Sequence, residues 1–197
     1  MRQAVTVQAT DPAYAAMVAA AAEAMRPENL RIVVRGRENR KDGILPLERY
    51  GLYFYVAGAM AGATAFKGSY TAEDLKAAMT NTERSAVIGP MLSVLNGGGR
   101  SVEEWEPDGS PMTVLTTRDQ VNGAGVIFCD NVLRKIRDKV GDFYILPSSV
   151  HEVIIVPVSG DIERDELEAM VKVVNRDEVA PEDRLADRVF LYDGTLH

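Results

Sequence analysis

The spacing of hydrophobic and polar positions changes several times along this chain, and each change marks an expected element. AVTVQAT, residues 4–10, alternates with the two-residue period of a short edge strand. TDPAYAAMVAAAAEAMRP then takes up helical spacing, with Tyr14, Met17, Val18, Ala21 and Met25 on one stripe. Asp11 is placed to accept hydrogen bonds from the free amides of the first turn, Pro12 suits the first helical position, and Pro27 ends the run. The spacing predicts that this stripe faces the core. LRIVVRGREN reads as a strand leaving the core for a polar loop. GLYFYVAGAMAGATAFKGSY reads as a hairpin that reverses among the small residues from Gly58 to Gly62.

In TAEDLKAAMTNTERS, Thr71 and Asp74 stand three apart as a reciprocal capping pair, and Leu75, Ala78 and Met79 fall on the core side. A second helical segment is expected over Ala86 to Leu95, with Pro90 near its start, followed by a loop in NGGGRSVEEWEPDGSP. MTVLTT is a short strand and VNGAGVIF a turn. CDNVLRKIRDKVG is a helix capped by Asp130, with Val132, Leu133, Ile136 and Val140 on its apolar face and Gly141 at its stop. DIERDELEAMVKVVN repeats Leu167, Met170, Val171 and Val174 at three and four, and APEDRLADRVFLYDG supplies a turn begun by Pro181 and a last strand around Val189 to Tyr192. The unbroken VIIVP requires cover on both faces, hence a central strand. The mixture predicts one domain over residues 1–197 with an α+β fold, an antiparallel or mixed sheet with helices packed mainly on one face.

A length of 197 residues with 46% hydrophobic content suffices for one well-formed core. The net charge of -7 argues against a general nucleic-acid binder, which draws on many basic side chains to neutralise phosphates. The most basic stretch holds Arg31, Arg35, Arg37, Arg40 and Lys41. It reads as a solvated strand end, with Arg35, Arg37, Arg40 and Lys41 as the alternative anion or partner site. The single cysteine, Cys129, excludes an internal disulfide and a thiolate metal cluster and fits a reducing compartment. The alanine-rich start is broken by Asp11, Pro12 and Glu23, against an export signal, and no stretch supplies the roughly 18 to 20 apolar residues of a membrane helix. A cytoplasmic protein is expected.

Candidate chemistry concentrates in PSSVHE, residues 147–152, where two hydroxyls, His151 and Glu152 precede the apolar run. As a hairpin turned through Ser148 and Ser149, the segment would put Ser149 and His151 on one side of a strand and Glu152 on the other, against a triad built from this segment alone. It also lacks the nucleophile elbow G-x-S-x-G. HEVII is not the zinc motif H-E-x-x-H, because Ile155 stands where the second histidine belongs. With His151 and His197 the only histidines, no metal site or cofactor is expected. Cys129 precedes a helix start, where partial positive charge favours thiolate, and with His151 as base it is a second candidate nucleophile; the plainer reading is a small buried hydrophobe. NGGGRS has no P-loop lysine, and NGAG lacks the third glycine of a dinucleotide fingerprint, so both read as flexible loops.

MTVLTTRDQVNGAGVIFCDNVLRKIRDKVGDFYILPSSVHEVIIVP and LEAMVKVVNRDEVAPEDRLADRVFLYD resemble an uncharacterised bacterial family of unknown function, whose members carry an LPSSxHEVxxVP hairpin and a VAPEE.LSD.VY.YD segment. RIVVRGREN, GLYFYVAG and ATAFKGSYTAEDLKAAMTNT are similar too, so the resemblance spans residues 29–193 and leaves 1–28 as an N-terminal strand and helix. It implies the fold, a bacterial cytoplasmic setting and an association with mobile-element cargo, but no reaction. The leading functional expectation is a non-catalytic soluble domain that binds or regulates a macromolecular partner, either another protein or a second copy. The alternative is a small hydrolase or transferase using His151 with Ser149 or Cys129.

Overall fold

The computed structural model describes residues 12–44, 46–60, 63–147, 149–158 and 162–197. The strand expected at 4–10, the Asp11 cap and Ser148 lie outside them. The chain forms an α+β fold built on two antiparallel sheets. In the first, β3 (Leu52–Met60) is central, flanked on one side by β1 (Leu30–Arg35) and on the other by β2 (Leu47–Arg49) and β4 (Ala63–Phe66). The expected hairpin is the β3–β4 pair.

Helix α2 (Ala72–Ser85) begins at the expected capping box: Asp74 N–H donates to Thr71 Oγ1 at 3.1 Å, and Thr71 N–H donates to Asp74 Oδ2 at 2.9 Å. The second sheet runs β10 (Phe190–Tyr192), β8 (Phe143–Leu146), β9 (Val153–Pro157), β7 (Thr113–Thr117), β5 (Ala86–Gly89) and β6 (Arg100–Ser101). The helix expected over 86–95 is therefore a strand followed by the short α3 (Met91–Leu95). Val87 and Ile88 are branched residues suited to the pleat, and Pro90 restarts the chain as a helix.

The strand period of two explains how VIIVP is covered. Val153 and Ile155 of β9, with Phe143 and Ile145 of β8, enter a core shared with Ile32, Val34, Phe54 and Val56 of the first sheet and with Val132, Leu133 and Ile136 of α4 (Asp130–Val140). Ile154 and Val156, with Tyr144 and Leu146, face the other way, against Leu167 and Val171 of α5 (Arg164–Asp177). The strand is central, as expected, with α4 on one face of the sheet and α5 on the other.

The N-terminal helix corrects a second expectation. Alpha-helix α1 (Pro12–Ala24) buries only Ala24, and Met17 and Val18 of the expected core stripe are 54% and 47% exposed. Its alanines make every face apolar, so the spacing could not single out the buried side: of the expected stripe Met25 packs against the core, while Met17 and Val18 point outward. The helix instead meets β3 by its end: Gly58 lets the Ala24 carbonyl approach so closely that a Cβ there would lie 1.9 Å from the oxygen.

VNGAGVIF is not a flexible turn but a buried 3₁₀ segment, Gly123–Phe128, wedged between the sheets. A Cβ on Gly123 would stand 2.1 Å from Thr116 Oγ1 and 2.5 Å from the His151 carbonyl, and one on Gly125 would stand 2.0 Å from the Ile32 carbonyl. The edge of β1 is thereby covered, its Ile32 N–H donating to Thr82 Oγ1 of α2 at 2.8 Å.

Candidate functional site

Alternation along β1 sends Ile32 and Val34 into the core and leaves Arg31, Val33 and Arg35 on the opposite face. Ala57 and Tyr55 of β3 pair with Arg31 and Val33 on that face, and the small residues Ala57, Gly58 and Ala59 at that end of β3 line a cavity of about 630 Å³. Thr64 and Phe66 of β4 form one wall. Asp119 and Asn122 from the segment after β7, with His151 and Asp183, form the other, so the cavity spans the junction of the two sheets. This volume lies within the roughly 300–1,000 Å³ typical of small-molecule sites.

Arg35 dominates the electrostatics. It is 9% exposed, donates from Nη1 to the Val34 carbonyl at 2.7 Å and stands over the Phe66 ring at 5.4 Å from its centre. Among the described residues no carboxylate forms an ion pair with it. Burial lowers its pKa from the ordinary guanidinium value, and the charges of Asp183 and Tyr55 oppose that shift. Lys41, at the exposed rim, shares the same ring at 5.6 Å, held there by its backbone N–H donating to Tyr55 Oη at 2.9 Å.

The opposite wall rests on a strained turn. Gln120 and Asn122 have φ of 55° and 54°, the left-handed region that non-glycine residues seldom occupy. In that conformation the Asn122 N–H donates to His151 Nδ1 at 3.3 Å, while its side-chain amide donates to Thr64 Oγ1 at 2.9 Å. The imidazole proton is therefore on Nε2, which faces Asp183 Oδ2 at 3.6 Å. Nδ1 thus has a hydrogen-bond partner while Nε2 only faces a carboxylate, and among the described residues neither nitrogen hydrogen-bonds a serine or cysteine. Thr116 Oγ1 donates to the His151 carbonyl at 2.6 Å and fixes the backbone beneath the ring.

Ser149 to Glu152 form a connection between β8 and β9, so His151 and Glu152 precede the strand on which the hairpin reading placed them. Ser149 bridges to Arg184, and the Val150 N–H donates to the Asp183 carbonyl at 2.8 Å, which brings Asp183 beside the imidazole. Ser149 itself is buried; its Oγ accepts the His151 backbone N–H at 3.0 Å and bonds the Glu152 carboxyl, away from the cavity lining. Cys129 is also buried, its thiol against the Met79 carbonyl at 3.8 Å, and burial, with Glu83 adding, pushes its pKa up to about 12. A thiol-specific disulfide reagent at pH 8 is expected to leave the native protein unmodified and to label one equivalent in urea; rapid native labelling would contradict this placement.

Of the residues singled out in the sequence, the cavity gathers His151, Arg31, Arg35 and Lys41. Arg37 is exposed and Arg40 stands over Tyr53 at 5.2 Å; neither lines the cavity. Asp183, Asp119, Asn122 and Thr64 escaped the sequence reading. The Asn122-Gly123 dipeptide was the one available signal, since asparagine tolerates the left-handed turn and glycine permits the close approach that follows.

Glu152 titrates out of its ordinary range. Burial raises its pKa, His151 and the Ser149 hydroxyl oppose the rise, and Asp183 adds to it. With the folded value above the unfolded one, the native state binds more protons between the two, so this group's contribution to stability falls as pH rises through that window. Glu152→Gln is expected to be more stable than wild type at pH 7 and indistinguishable from it below the carboxylate range; urea titrations at both pH values check this, and a less stable variant at pH 7 would contradict it.

Residues 67–194 match DUF5688, a family of unknown function, and the chain belongs to that family. The matched span begins later than the expected resemblance at residue 29. It includes Asp119, Asn122, His151 and Asp183, whereas Arg35 and Lys41 precede it. No curated protein and no solved structure matches the chain. Among the described residues there is no group of metal-ligating side chains, and no helix is long and apolar enough to cross a membrane.

Proposed function

We propose that this chain is a non-catalytic binding domain whose cavity takes a small organic anion, and that it regulates a macromolecular partner through that ligand. The observation that carries the reading is Arg35, a buried guanidinium lining an open cavity without an ion-paired carboxylate among the described residues. A cation removed from water is expensive unless an anion accompanies it. Nδ1 of His151 already accepts the Asn122 N–H, which favours a positioning role for that nitrogen over proton transfer.

The partner is a protein or a second copy of the chain, the net charge of -7 weighing against nucleic acid. The reading takes residues 1–197 as one domain, supported by the core shared between the sheets, and places it in the bacterial cytoplasm. Its test is the melting temperature of the full chain in acetate, pyruvate, succinate and glutamate at constant ionic strength. At least one is expected to raise it in the wild type and not in Arg35→Gln. No shift with any of the four would overturn the reading.

A further inference from the structure

We infer that the anion is the carboxylate end of a zwitterion of the α-amino-acid class, held between Arg35 and Asp183. The inference rests on the anion-binding reading above and adds the group at the ligand's other end.

The two side chains face the same cavity and feel each other's charge, yet they do not form an ion pair. A direct pair between them would be the simplest way to satisfy a buried guanidinium. Leaving them apart makes a gap with a positive side and a negative side. The carboxylate and ammonium of an amino acid are joined by a single carbon, so the ligand presents both charges within one short span. The guanidinium offers a planar fork for the carboxylate, and Asp183 offers oxygens for the ammonium.

The other acid of the cavity is already supplied with donors. Asp119 Oδ1 accepts from Thr117 Oγ1 at 2.7 Å and from the Val121 N–H at 3.4 Å. Among the described residues Asp183 has only the imidazole nearby, 3.6 Å away and beyond hydrogen-bond distance, and its side chain is 36% exposed, so its acceptor capacity remains open. Arg31, Arg35 and Lys41 stand against Asp119 and Asp183, three cations to two carboxylates. That near balance suits a zwitterion and works against a polyanion, whose further charges would meet the two acids.

The test is calorimetric titration of the full chain with alanine, leucine and phenylalanine. Each is compared with its deaminated acid (propionate, 4-methylpentanoate, 3-phenylpropionate) and its decarboxylated amine (ethylamine, 3-methylbutylamine, 2-phenylethylamine). At least one amino acid is expected to bind tenfold or more tightly than both of its counterparts. Asp183→Asn is expected to abolish the advantage over the deaminated acid while that acid's own affinity stays the same or improves. Equal binding of amino acid and deaminated acid to the wild type would overturn the zwitterion and leave the anion site standing. No binding by any amino acid or acid would overturn both.

Discussion

Gly125→Ala is expected to lower the unfolding free energy by about 3 kcal/mol, at the upper end of ordinary overpacking. The methyl would lie 2.0 Å from the Ile32 carbonyl oxygen and 2.8 Å from its carbon, both backbone atoms that no rotamer change can move aside. Relief requires the 3₁₀ segment to retreat from β1, and that segment also carries Val126 and Ile127 into the shared core. Gly123 is its first residue and Asn122 stands immediately before it, so the shift reaches the wall of the cavity. Gly68→Ala is the control, because a Cβ there meets nothing within 4 Å. Urea denaturation with a common slope is expected to show a large loss for the first variant and little change for the second. Equal effects would mean that the sheets are not held apart by this wedge.

Arg35→Met is expected to weaken binding of the anion by roughly a hundredfold, since a buried charged hydrogen-bond partner contributes on the order of 2–5 kcal/mol. The same variant is expected to leave the unliganded protein as stable as wild type, or more stable by about 1 kcal/mol. Methionine is of similar length, packs against Phe66 and carries no charge to desolvate. It gives up a hydrogen bond to the neighbouring carbonyl, one cation–ring contact and the attraction of Asp183 across the cavity. Were Arg35 a structural element of the sheet, the variant would instead unfold more easily in the absence of any ligand. The two readouts together separate a residue kept for binding from one kept for folding.

The elements with strong local signals were legible in the sequence. The Thr71–Asp74 box, the β3–β4 hairpin, the apolar face of α4 and the central placement of VIIVP all follow from spacing and local hydrogen bonding. Failures came where the deciding contact is remote. Alanines in α1 satisfy any helical stripe, so only the tertiary structure reveals that Met17 and Val18 face outward. Gly123 and Gly125 look like loop residues until the atoms they admit are known, and beside nearby β7 these include the carbonyls of His151 and of Ile32 in β1, both far away in sequence.

The site was half legible for the same reason. His151 and Arg35 drew notice as an isolated imidazole and a basic stretch, each in its own segment. Their joint use depends on the turn at 181–184 docking beside residue 149, which brings Asp183 to the ring and its charge within reach of the guanidinium. Ser149 and Glu152, adjacent to His151 in sequence, turn away toward each other, so closeness along the chain was a poor guide to closeness in the cavity.

The most direct measurement of the central claim is the Nε–H resonance of Arg35 in ¹⁵N-labelled protein, followed while acetate and, separately, glycine are added at constant ionic strength. A saturable shift of that signal, accompanied by the Asn122 amide and by residues of β1 and β4 around the cavity, is the expected result. A signal unmoved by both ligands would contradict the assignment of Arg35 as the anion's partner.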